Sequence, residues 1–194
     1  ASDVYKRQGK EYLWQADPAF WKRHSPVLFP IVGSVWENQY RNEGIAYTLS
    51  QHGFARDMEF ICTDKTDTSV THLLESTEET LKHWPYVFQL YITHTLNERD
   101  LTVSWKIVNK SQETMYFTIG AHPAFNVPVL PDTVQSQYHL TFNGEKELTY
   151  CLLDPNHGTA MPDKTYTFSL TNNSCPIDEH MFDHDALVFD NGQI

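Results

Sequence analysis

Residues 86–110 read YVFQLYITHTLNERDLTVSWKIVNK, and their two-residue rhythm decides the fold class. Tyr86, Phe88, Leu90, Ile92, His94 and Leu96 fill the even positions, while Gln89, Thr93 and Thr95 fall on the odd ones. Successive side chains of a strand point to opposite faces, so this spacing predicts one apolar and one mixed face. Asn97-Glu98-Arg99-Asp100 reads as a four-residue polar turn. Beyond it Leu101, Val103, Trp105 and Ile107 alternate with Thr102, Ser104 and Lys106, which completes an antiparallel hairpin. After a turn over 109–112, Met115, Phe117 and Ile119 form a third alternating run, so a meander is expected.

Outward from this hairpin, shorter strand-like segments occupy 58–63, 69–75, 138–142, 148–152, 166–170 and 186–189. Ser76–Trp84 alone reads as helix, with Ser76 and Glu79 as a capping box and Pro85 as its stop. The remainder reads as loop, without repeats, low-complexity tracts or an interdomain linker. Closely spaced strands with almost no helix predict an all-β protein, a sandwich or a barrel.

The chain has 194 residues, 14 Lys and Arg against 25 Asp and Glu, and a formal net charge of −11. That length suits one domain with a sizeable core. No apolar run approaches the roughly 18 residues of a membrane span. Scattered basic residues argue against a nucleic-acid partner, because phosphate neutralisation needs a clustered basic face. Cys62, Cys151 and Cys175 contain no CxxC pair and predict neither a disulfide framework nor a zinc site. Nothing near the N-terminus reads as an export signal, so a cytoplasmic protein is expected. Residues 1–8 (ASDVYKRQ) start without Met and lead into Gly9 without cap or turn logic, while 183–190 open a strand and its turn just before Ile194. The expectation is a piece of something longer.

Two clusters break the strand-and-turn pattern: Gln51-His52-Gly53-Phe54-Ala55-Arg56-Asp57, and Ile119-Gly120-Ala121-His122-Pro123-Ala124-Phe125-Asn126-Val127-Pro128. His122 follows the meander on a loop stiffened by Gly120 and Pro123, a setting that suits a positioned acid or base. Spacing alone favours a plainer role, a turn residue bonded to backbone. His94 reads as a satisfied core or edge histidine. His180 and His184 lack a third ligand and a dependable helix, so no metal is expected. Trp14 and Trp21 read as packing for the loop-rich N-terminal segment; for Trp36 packing and ring stacking on a ligand stand about even. Asp154–Gly158 reads as a turn.

FPIVG at 29–33, QHGFARD at 51–57, the meander, and above all IGAHPAFNVP at 119–128 resemble the aldose 1-epimerase (galactose mutarotase-like) family, in its bacterial LacX-like branch. The resemblance covers residues 9–194, which are taken as a partial family domain preceded by a non-family extension over 1–8. It implies a large antiparallel β-sandwich with an open sugar cleft, and interconversion of the α and β anomers of a free hexose or hexose phosphate without a cofactor. It further implies His122 as the general acid and His52 as the second active-site histidine. Arg56 becomes a substrate-binding arginine, and Asp185 an acidic residue holding sugar hydroxyls, with His184 beside it as the alternative. Phe125 and Phe54 suit apolar sugar faces. The family's catalytic base is a Glu near the C-terminal end of the full domain, and Glu145, Glu147 and Glu179 stand in the wrong context to match it. Many relatives carry Arg where this chain has Ser34. The implied partner is a small-molecule sugar, and the competing reading is a sugar-binding sandwich that has lost its base.

Overall fold

The computed structural model describes residues 6, 7, 9–143, 147–189 and 192. Most of the 1–8 stretch, together with Glu145, therefore lies outside the described residues. In chain order the strands are β1 (Lys6–Arg7), β2 (Lys10–Glu11), β3 (Val27–Leu28), β4 (Gln39–Asn42), β5 (Ile45–Thr48), β6 (Ile61–Lys65) and β7 (Ser69–Glu75). After helix α1 (Glu78–His83) come β8 (Phe88–Asn97), β9 (Asp100–Asn109), β10 (Gly120–Ala121), β11 (His139–Thr141), β12 (Glu147–Leu153), β13 (Ala160–Ser169) and β14 (Ser174–Pro176). The described pairings between these strands are antiparallel. Contacts divide the chain into two compact units, one of residues 27–121 and one of 1–26 with 122–194.

The 27–121 unit is built on the sheet β6-β7-β8-β9. The alternation of β8 emerges as burial: Phe88, Leu90 and Ile92 expose 1%, 0% and 7% of their surface. They pack with Phe29, Ala55, Leu74, Trp84 and Tyr86, while Trp105, Ile107, Met115 and Ile119 close over them. On the opposite face the Thr71 and Thr93 hydroxyls meet at 2.9 Å and the Lys106 ammonium lies 5.5 Å from the Tyr91 ring centre. Such cross-strand pairs are the sheet's local glue.

Four details depart from the sequence reading. Asn97 pairs directly with Asp100, so the hairpin turn is two residues long, with Glu98 at φ 51°. The run Met115–Ile119 does not extend the sheet. Thr118 instead donates its N–H to the Pro30 carbonyl (3.0 Å), its hydroxyl accepts from the Val32 N–H (2.8 Å), and Gly120–Ala121 pair with Val27–Leu28. The meander is made by β6 to β9. The helix cap sits one residue later than expected: Thr77 accepts from the Thr80 N–H, and the Thr80 hydroxyl accepts from the Thr77 N–H. Ser76 is used instead to accept from the Phe88 N–H at 3.4 Å. The hairpin β4–β5, read from sequence as loop, turns at Glu43-Gly44.

In the other unit β12 and β13 form a long hairpin. Leu148 and Cys151 are buried beneath it, and Phe142, Tyr150, Phe168 and Phe189 make an aromatic cluster with centroid distances of 5.5–6.1 Å. Val188 joins the β12 edge through reciprocal backbone bonds with Cys151, so only a single bridge forms where a strand was expected over 186–189. Asp154 makes the expected turn, its carboxylate accepting from the N–H groups of Asn156 and His157. No helix among the described residues is long and apolar enough to cross a membrane.

Candidate active site

In the 27–121 unit, the QHGFARD segment is shaped by one glycine. Gly53 has φ +68°, and a Cβ there would lie 2.3 Å from the Phe29 carbonyl oxygen. That carbonyl accepts from both the Phe54 and Ala55 N–H groups, at 3.2 Å each. The close approach presents His52 with φ 64°, an uncommon backbone region for a non-glycine residue. His52 is then clamped on Gly33: its N–H donates to the Gly33 carbonyl at 2.8 Å, and its Nδ1 accepts from the Gly33 N–H at 3.0 Å. An acceptor Nδ1 leaves the proton of the neutral ring on Nε2, so this imidazole offers a donor at that atom. FPIVG and QHGFARD thus form one structural device.

Arg56 sits on the 3₁₀ turn Ala55–Asp57, anchored by buried Ala55. Its Nη2 donates to the Gln51 carbonyl at 2.7 Å and its Nε lies 3.7 Å from the Asp57 carboxylate; the side chain is 15% exposed. Phe54 is half-buried and packs on the core against Phe29, Trp84 and Phe88.

In the other unit, the GAHPAFN loop is clipped to the N-terminal segment. Asn126 donates its amide to the carbonyls of Glu11 (3.1 Å) and Leu13 (2.8 Å), Leu13 bridges Phe125, and the Trp14 N–H donates to the Ala124 carbonyl at 2.9 Å. His122 is solvent-exposed, its N–H donates to the Pro26 carbonyl at 3.1 Å, and its ring lies 4.8 Å from that of Trp21. Phe125 is 64% exposed and borders a cleft of about 420 Å³ with Glu11 and Trp14.

Asp185 adopts φ 70°, accepts the Ala186 N–H on its own carboxylate at 2.7 Å, and lines a cavity of about 1000 Å³. Tyr150, Tyr166, Phe168 and Lys164 form part of its wall. Aromatic faces beside carboxylates suit a polyhydroxylated ligand, whose C–H faces stack and whose hydroxyls hydrogen-bond.

His52 and Arg56 therefore share one turn of the 27–121 unit, and His122, Phe125 and Asp185 belong to the other unit. The contacts that Gly33, Asn126 and Trp21 make with the two motifs escaped the sequence reading. Gly33 carried a signal, as the glycine closing FPIVG, whereas Trp21 lies too far from His122 in sequence for any local pattern to join them. His94 lies half-buried on the core face of β8 with its ring 6.4 Å from that of His72. Burial, and then His72, hold its pKa below the usual histidine value. His180 contacts the Asp183 carboxylate at 2.9 Å. Among the described residues no group of three or more His, Cys, Asp and Glu is arranged to hold a metal.

The sequence profile of the family described as aldose 1-epimerase matches residues 3–188. The chain belongs to the aldose 1-epimerase family. Within that family it is 33% identical to the plasmid-encoded protein LacX of Lactococcus lactis subsp. lactis over 97% of this chain and 65% of the relative, so it spans just under two thirds of that protein's length. The galactose mutarotase related enzyme from Lactobacillus acidophilus superposes with a TM-score of 0.88 at 33% identity, over 94% of this chain and 60% of that one. A galactose mutarotase-like protein from Lactobacillus casei ATCC 334 gives a TM-score of 0.80 at 32% identity, over 92% and 61%. The all-β, galactose mutarotase-like sandwich architecture expected from the alternating runs and motifs is thus the one this epimerase-family chain adopts, in part.

Proposed function

We propose that this chain is part of a mutarotase that interconverts the α and β anomers of a free hexose by acid–base ring opening. The observation that carries the reading is the clamp of His52 on Gly33, which fixes a donor N–H on an imidazole within one family motif. In the proposed reaction a carboxylate base supplied by the remainder of the domain removes the C1 hydroxyl proton. His122 gives its proton to the ring oxygen, the C1–O bond breaks, and the open-chain aldehyde forms. Rotation about C1–C2 and reclosure, with both proton transfers reversed, yield the other anomer. The His52 Nε2–H holds a sugar oxygen, Asp185 accepts from hydroxyls, and Phe125 offers an apolar face. Arg56, already engaged by the Gln51 carbonyl and the Asp57 carboxylate, suits a hydroxyl better than a phosphate dianion.

The test is anomer exchange by NMR on the full-length protein, with free aldoses and their 6-phosphates side by side. Free aldoses are expected to exchange faster, and His122→Ala to lower the rate by about 10²-fold or more, the usual contribution of a positioned acid. Unchanged exchange in that variant overturns the acid assignment. Saturable sugar binding without accelerated exchange supports a binding module instead.

A further inference from the structure

We propose that Trp21 is a positioning residue for His122, holding the imidazole in the orientation from which it delivers its proton; this rests on the mutarotase reading above. His122 stands on an exposed loop, where holding an imidazole in a single orientation costs side-chain entropy. Here its ring lies against the Trp21 indole, with centroids 4.8 Å apart and planes at 39°. Such a tilted ring contact restricts rotation of the imidazole, and an indole also attracts an imidazolium.

The backbone of Trp21 is itself held by two bonds, in a turn that Asp17 caps. Its N–H donates to the Asp17 carbonyl at 3.0 Å, its carbonyl accepts the Trp14 indole N–H at 2.6 Å, and the Asp17 carboxylate caps the turn by accepting from the Ala19 N–H at 2.9 Å. Trp14 is fixed in turn by its N–H bond to Ala124, two residues beyond His122, and Phe20 meets it edge-on at 6.1 Å. The Pro26 carbonyl holds the His122 backbone from the far end of the same segment. The 14–26 segment therefore frames the histidine through both backbone and ring, which is how a donor is kept in a reactive geometry on a loop.

The experiment compares wild type, Trp21→Leu and Trp21→Phe in the full-length protein by two readouts. The first is the His122 ring-proton resonance, which the indole ring current displaces from the position of an exposed histidine and which needs no turnover. The second is the split of kcat from KM in anomer exchange. Trp21→Leu is expected to return the resonance toward the exposed value and to lower kcat about 10-fold with KM changed less than twofold, a modest part of the loss that misplacement of a catalytic group can bring. Trp21→Phe, retaining a ring, is expected to recover most of kcat. A His122 resonance that does not move in Trp21→Leu overturns the contact, and a moved resonance with undiminished kcat overturns the positioning role while leaving the mutarotase reading intact. Absence of exchange in wild type overturns both readings together.

Discussion

Gly53 shows how a single backbone position builds a functional turn. With φ +68° and the Phe29 carbonyl oxygen 2.3 Å from where a Cβ would stand, the conformation strains a side chain and the space excludes one. Gly53→Ala is expected to cost about 2–4 kcal/mol, from left-handed strain and the displacement of the Phe29 carbonyl from two N–H donors. Urea denaturation checks this, and a midpoint unchanged from wild type would refute the close approach. His52 and Asp185, the other family-implied residues with positive φ, are held as strongly: one by Gly33, the other by its own carboxylate on the Ala186 N–H. Their residue types were legible from the motifs. Their backbone states were not: that of His52 depends on Gly33, 19 residues away in the chain.

At the scale of elements, α1 begins one residue later than its capping signature predicts. Ser76 with Glu79 fits the sequence pattern, yet the structure caps with Thr77 and the Thr80 hydroxyl, a pair outside that pattern. The choice follows from competition for Ser76, whose hydroxyl is drawn to the Phe88 N–H at the start of β8. Thr77→Ala is therefore expected to destabilise by about 1 kcal/mol, the usual cost of a lost N-cap. Ser76→Ala should cost less, since its bond is long at 3.4 Å. Equilibrium unfolding of the two variants decides, and the reverse order would restore the earlier cap. The run Met115–Ile119 makes a related point. Its alternation is real and Met115 and Ile119 do reach the core, yet the backbone bonds of Thr118 go to the Pro30 region instead of β9. Periodicity reports which side chains are buried, not which strand supplies the hydrogen bonds.

For the whole molecule, the pH dependence of stability follows from where titratable groups are buried. The half-buried His94 is kept below its ordinary value of 6.5, by burial first and by His72 second. Below pH 6.5 the unfolded chain binds this proton more readily than the native one, so stability is full above 6.5 and declines as the pH falls. Glu79 and Asp154, whose carboxyls are lowered by the Lys82 ammonium and by the Asn156 N–H respectively, add their losses only further down, below ordinary values of 4.5 and 3.8. His94→Gln is expected to flatten the decline that begins below pH 6.5 while leaving the lower step in place. Urea midpoints at pH 7.5, 5.5 and 4 measure it, and an unchanged slope in the upper window would remove His94 as its source.

The sequence by itself determined the all-β class, the buried face of β8, the turn at Asp154 and the two histidine motifs. Each rests on local rules: alternating side-chain direction, hydroxyl and carboxylate capping, and glycine at positive φ. Tertiary structure alone decided that Gly33 sets the proton position on His52, that Trp21 lies against the ring of His122, that Phe54 packs on the core, and that residues 27–28 pair with 120–121. Those are contacts between segments far apart in the chain. They are settled by which partner best buries a ring or satisfies a backbone group once the chain is compact, a competition that no local pattern records.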